Sequence, residues 1–156
     1  MRWDQGRDVI EAMLTGARPA LQAVKPSREH ADRLLEQARA HLGSAAQLAD
    51  TDPEGAYALL YDAARKALTA ILENQGLRPT SAGSHLAAYD ATLAQLDPPM
   101  GKLIRPFDRM RRARRDAEYP PTDAEQITAK NVTDDLPKAT AIVDMTQTIL
   151  DQMSPY

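Results

Sequence analysis

The chain is predicted to fold as an all-α bundle, and three observations carry that expectation. Apolar residues recur at helical rather than alternating spacing. Residues that favour strands are sparse, with one Phe, one Trp and five Tyr among 156 residues. Breaks rich in Pro, Gly and Asp cut the chain into pieces of helix length. At this length a single domain buries a core without disulfide or metal staples. Residues 1–26 read as an N-terminal helix with its connector, and residues 27–153 as one antiparallel helical bundle, a single domain overall.

Asp4 to Thr15 forms the first predicted helix, with Val9, Ile10, Met13 and Leu14 as its apolar residues; Pro19 and Pro26 bracket a looser connector. Ser27 is placed to cap a long helix through Ala31, Leu34, Leu35, Ala38, Leu42, Ala45 and Leu48. The Asp50-Thr51-Asp52-Pro53 break ends it. Asp52 then caps the next helix with Pro53 in its first turn, and a broad apolar face from Ala56 to Leu72 continues until Gly76. A loop is expected from Leu77 to Gly83. Ser84 starts a helix bearing Leu86, Tyr89, Leu93 and Leu96, which Pro98-Pro99 closes. An arginine-rich helix spans about Met100 to Glu118, with Pro106 tolerated near its first turn and Pro120-Pro121 as its stop. The last helix begins near Thr128, and Pro137 is expected to kink it or to mark a later start.

Composition removes several function classes. Without cysteine there is no disulfide scaffold, thiol nucleophile or thiolate metal site. His30 and His41 lie some 16 Å apart along one helix at about 1.5 Å per residue, so they cannot share a metal. No metal and no cofactor are expected. No apolar run approaches the roughly 18 residues of a membrane span, and the first ten residues carry no signal-peptide core, so the expectation is a soluble cytoplasmic protein without membrane contact. Gly76, Gly83 and Ser84 make no phosphate loop.

Charge is unevenly placed. Between Lys102 and Arg115 stand seven Lys/Arg; with Asp108, Asp116 and Glu118 the stretch 102–118 carries +4 in a chain of net −3. Such an island is a candidate anion or nucleic-acid site. At 100° per residue Leu103, Phe107, Met110 and Ala117 share one helix face, and Arg114 falls in the middle of it. An arginine there needs a cleft or a carboxylate, for which Asp62 and Glu118 are the candidates. The plainer alternative is a solvated face with pairs such as Asp108 with Arg112 and Arg112 with Asp116. Contact of Tyr57, Tyr61 and Asp62 with an arginine across helices would form a buried polar network.

The segment AYALLYDAARKALTAILENQG from Ala56 to Gly76, followed by LRPTSAGSH and RPFDRMRRARRDAEYP, resembles the HEPN superfamily, in particular its small actinobacterial members. The likeness covers about Ser27 to Met153. It implies an up-and-down bundle of four main helices, paired as a homodimer with the arginine-bearing helices facing each other. It also implies metal-independent endoribonuclease chemistry in a toxin-antitoxin or defence setting. There an Arg followed by a polar residue holds the scissile phosphate, and a His five positions after that Arg moves the proton.

The sequence departs from that motif in the histidine. If Arg115-Asp116 is the pair, Pro120 stands at its position; if Arg112 begins the motif, Ala117 does, and Tyr119 matches a tyrosine of toxin members. What the resemblance implies is therefore Arg112, Arg115 and Tyr119 as catalytic candidates, with Arg105, Arg109, Arg114 and His85 binding RNA or a nucleotide phosphate. Asp62, Asp116 and Glu118 support them. His85 or Tyr119 would replace the missing histidine as proton donor. The competing reading is a non-catalytic dimerisation module that pairs with a nucleotidyltransferase-like partner.

Overall fold

The computed structural model describes residues 4–120, 122 and 125–156. Its elements are helix α1 (Arg7–Leu14), strand β1 (Leu21–Ala23), helices α2 (Arg28–Leu48) and α3 (Pro53–Gln75), strand β2 (Leu77–Pro79), and helices α4 (Ser84–Leu96), α5 (Gly101–Ile104), α6 (Pro106–Glu118) and α7 (Ala129–Gln152). The class is all-α, with one minimal ribbon.

Capping chemistry sets the long helices. The Ser27 hydroxyl accepts the His30 N–H at 3.0 Å, the Asp52 carboxylate accepts the Gly55 N–H at 3.0 Å, and Thr128 and Asn131 form a reciprocal capping box at the start of α7. Gly76 ends α3 at φ 90°, where a Cβ would lie 2.8 Å from the Val24 carbonyl oxygen. α3 is the hub, packed against α2, α4, α6 and α7. Small residues let neighbours approach it on several sides, with Ala56, Ala63, Ala64, Ala67 and Ala70 all buried.

Four expectations need correction. The connector and the loop after Gly76 pair as an antiparallel ribbon, Leu21 opposite Pro79 and Ala23 opposite Leu77. Three-residue strands carry too short an alternation to be read from sequence. The arginine-rich helix is two helices, because Pro106 has no N–H to continue the ladder and the hydrogen-bond pattern breaks at Arg105. That break moves Leu103 off the apolar face: it is exposed, and Ile104 is buried instead. α7 starts at Ala129 and runs unbroken through Pro137, so no later start occurs. Pro137 and Thr133 both face solvent, where the carbonyl that the proline frees can bond water. Of the expected Pro120-Pro121 stop, Pro121 lies outside the described residues; the C-cap of α6 is Tyr119. Among the described residues no helix is long and apolar enough to cross a membrane.

Candidate functional site

α3, α4 and α6 enclose an open pocket of about 610 Å³, lined by Ala58, Leu59, Tyr61, Asp62, His85, Arg111, Arg114, Arg115 and Glu118. Tyr61 comes from the buried hub helix, and its ring stacks on Phe107 of α6 at 5.4 Å between centroids. Tyr89 stacks on Phe107 in turn, at 5.8 Å. This aromatic triple fixes α6 against α3 and α4.

His85 owes its place to the turn before α4. The Thr80 hydroxyl donates to the Pro19 carbonyl at 2.5 Å, and the Gly83 N–H donates to the Thr80 carbonyl at 3.1 Å. Only glycine fits at 83, since a Cβ would lie 2.4 Å from the Ala20 carbonyl oxygen. The turn brings His85 Nδ1 to 2.6 Å from the Tyr61 hydroxyl. Whichever atom holds the proton, Nε2 remains the nitrogen available to a ligand. Burial pushes the Tyr61 phenol up to about 12, so it stays protonated at neutral pH. Burial, reinforced by the nearby Arg65 cation, lowers the His85 pKa from its ordinary 6.5, and the ring is neutral at pH 7.

The arginines divide by helix face. Arg111, Arg114 and Arg115 line the pocket, each near a carboxylate of its own helix: Arg111 donates to Asp108 at 2.9 Å, Arg114 lies 3.6 Å from Glu118, and Arg115 lies 3.4 Å from Asp116. Arg105, Arg109 and Arg112 turn elsewhere. Arg105 pairs with Asp97, Arg109 with the buried Asp135 of α7, and Arg112 with Asp108 at 3.4 Å.

The expected site is thus brought together in part. Arg114, Arg115, His85, Asp62 and Glu118 share the pocket; Arg112, Arg105, Arg109 and Tyr119 do not line it, and Tyr119 is 75% exposed. Asp116 faces a separate hollow of about 360 Å³ with Glu54, Pro120 and Thr122. Asp62 does not take up Arg114: it accepts from Arg65 at 2.6 Å and lies 3.3 Å from His41 Nε2. Arg112 does not reach Asp116, which Arg115 engages instead. The cross-helix Tyr-Asp-Arg network exists, but its acid is Asp135, with Tyr57 donating to it at 2.7 Å.

Arg111 and Tyr61 are the polar pocket residues that the sequence reading leaves outside the site, and Ala58 and Leu59 the apolar ones. For Arg111 a signal was present, since Arg111, Arg114, Arg115 and Glu118 follow i, i+3, i+4, i+7 spacing and so share one face. Nothing in the sequence marks the Tyr61 to His85 contact, which spans 24 residues and depends on the turn at Gly83.

Three guanidinium groups, a neutral imidazole and an apolar wall of Ala58 and Leu59 can together hold a phosphate with its attached sugar or base and move a proton beside it. Among the described residues no group of three His, Asp or Glu could hold a metal ion. Neither the comparison with curated proteins nor that with solved structures gives a match. The family model of the HEPN domain matches residues 31–149.

Proposed function

Because the chain belongs to the HEPN domain family, we propose that its pocket binds a phosphodiester of RNA and cleaves it without a metal. The observation that carries this reading is the joint lining of one concavity by Arg111, Arg114, Arg115 and a neutral His85 held by Tyr61. The guanidinium groups bind the non-bridging oxygens and stabilise the charge that gathers on them in the transition state. In the tautomer whose Nδ1–H donates to the Tyr61 hydroxyl, His85 Nε2 is unprotonated and accepts the proton of the ribose 2′-hydroxyl as its oxygen attacks phosphorus. The bond to the 5′-oxygen breaks, that oxygen takes a proton from water, and the imidazolium returns its own proton to solvent. Arg115, not Arg112, is then the arginine of the family motif, and His85 stands in for the absent histidine.

The working form proposed here is a homodimer in a toxin-antitoxin or defence setting, with light scattering at micromolar concentration as the check on its mass. One observation favours the non-catalytic alternative, a module that pairs with a partner such as a nucleotidyltransferase-like protein: each pocket arginine has an acidic neighbour on its own helix. The pairs of Arg114 with Glu118 and Arg115 with Asp116 are open to solvent, contribute about 0–1 kcal/mol each and yield readily to a phosphate, which leaves the ligand-binding reading the stronger.

Incubation of the purified protein with an oligoribonucleotide in excess chelator decides between them. Cleavage that His85→Ala and Arg114→Ala/Arg115→Ala abolish is the expected result. Cleavage at full rate in the His85 variant would reject the proton-transfer role, and absence of both binding and cleavage in the unaltered protein would reject the site.

A further inference from the structure

Arg111, Arg114 and Arg115 occupy the half of α6 that is least anchored. Phe107 and Met110 are its buried residues, and from Arg111 to Glu118 no residue is fully buried. The reach of an arginine magnifies any rotation of the helix: a guanidinium about 8 Å from the axis moves about 3 Å for a 20° turn, enough to lose a phosphate hydrogen bond. Something must fix the rotation between Phe107 and the pocket.

Asp135 of α7 sits at that point. Its side chain is 5% exposed; Oδ2 accepts the Tyr57 hydroxyl at 2.7 Å, and Oδ1 accepts the Arg109 guanidinium at 2.5 Å, with Lys138 Nζ at 3.5 Å. The carboxylate therefore joins α3, α6 and α7, and Arg109 lies between the two residues that seat α6. It grips α6 from the α7 side, opposite the aromatic stack, and does not line the pocket itself. We infer that Asp135 is a positioning residue: through Arg109 it sets the rotation of α6 and so aims Arg111, Arg114 and Arg115 into the pocket. The inference rests on the phosphodiester reading for its purpose and on α6 alone for its mechanism.

The test uses Asp135→Asn, which keeps the shape and removes the charge, and Arg109→Gln, which leaves Asp135 with Tyr57 and Lys138 should the first variant fold poorly. Hydrogen exchange by mass spectrometry and titration with a fluorescent oligoribonucleotide are read in parallel. Expected are at least tenfold faster exchange over residues 111–118 with α2 and α3 unchanged, an affinity about tenfold weaker, and partial recovery of both in the Asp135→Asn/Arg109→Gln double variant, whose neutral side chains can hydrogen-bond. Exchange that quickens uniformly over all helices would reduce Asp135 to general stability and overturn the inference. Unchanged exchange over 111–118 in a folded variant would overturn it as well. If the unaltered protein fails to bind the oligonucleotide, the phosphodiester reading falls while the exchange comparison still decides the role of Asp135.

Discussion

Two faces of α6 carry arginines of the same kind in opposite circumstances. On the outer face, Arg109 reaches a carboxylate of another helix, the buried Asp135 of α7, and Arg105, at the junction with α5, pairs with Asp97. On the pocket face, among the described residues, the carboxylates paired with Arg111, Arg114 and Arg115 all belong to their own helix. The difference lies in what each carboxylate would lose. Stripping Arg109 from the buried Asp135 strands a charge at low dielectric, whereas the pairs of Arg114 with Glu118 and Arg115 with Asp116 within α6 are open to solvent, worth a few tenths of a kcal/mol each, and re-form with water. One basic run thus supplies both a fastener for the bundle and a set of cations ready for an anion.

The sharpest way to break this contrast is to remove each set in turn. Arg114→Ala/Arg115→Ala is expected to slow oligoribonucleotide cleavage by about 10²-fold or more while changing stability by less than about 1 kcal/mol. Initial rates and urea melts measure the two effects. A large loss of stability with unchanged rate would reverse the assignment of the faces. Arg109→Ala is expected to do the opposite to stability, lowering it by about 1–3 kcal/mol, since Asp135 keeps Tyr57 and Lys138 but loses its cross-helix guanidinium.

A pH series sharpens the pocket side. The imidazole of the unfolded chain titrates near 6.5 and that of folded His85 lower. Below about pH 6.5 the unfolded state therefore binds more protons, and stability falls as the pH drops through that value. In His85→Gln this part of the acid loss should vanish in denaturant midpoints taken from about pH 7.5 to 5. A slope identical to that of the unaltered protein would mean that His85 is not held neutral. The smallest effect concerns Glu118, which lines the pocket beside Arg114. Glu118→Gln should raise oligoribonucleotide affinity two- to threefold at fixed ionic strength, within the range of an exposed pair; weaker binding would show that Glu118 orients Arg114 rather than competing for it.

Local chemistry made much of the fold legible. Ser27, Asp52, Thr128 and Gly76 act within a few residues of themselves, and the helix ends they mark are where the caps predict. Features that depend on distant partners were not legible. The Leu21 to Pro79 pairing joins segments 58 positions apart, and Asp135 looks like any acidic residue of an amphipathic helix until Tyr57 and Arg109 close on it. Helical spacing alone points to Arg114, while Arg115, like Arg112 and Tyr119, follows from the motif register. Register does not say which of these reaches the pocket; the way α6 meets α3, with the break at Pro106 and the Phe107 stack, puts Arg115 in its lining and leaves Arg112 and Tyr119 out of it.

The ribbon of β1 and β2 bears on how the molecule could be shortened. Leu21 and Leu77 are almost wholly shielded from water, and Ile10 of α1 lies in the same apolar cluster. A chain begun at Ser27 would forfeit Ile10 and Leu21, each worth about 1.5–3 kcal/mol of burial. It would also uncover Leu77 and leave the turn before α4 without the Pro19 and Ala20 carbonyls that steady Thr80. Because that turn aims His85, trimming the leading helix, which packs on α4 beside Gly83 and Leu86, would reach the imidazole without touching the pocket.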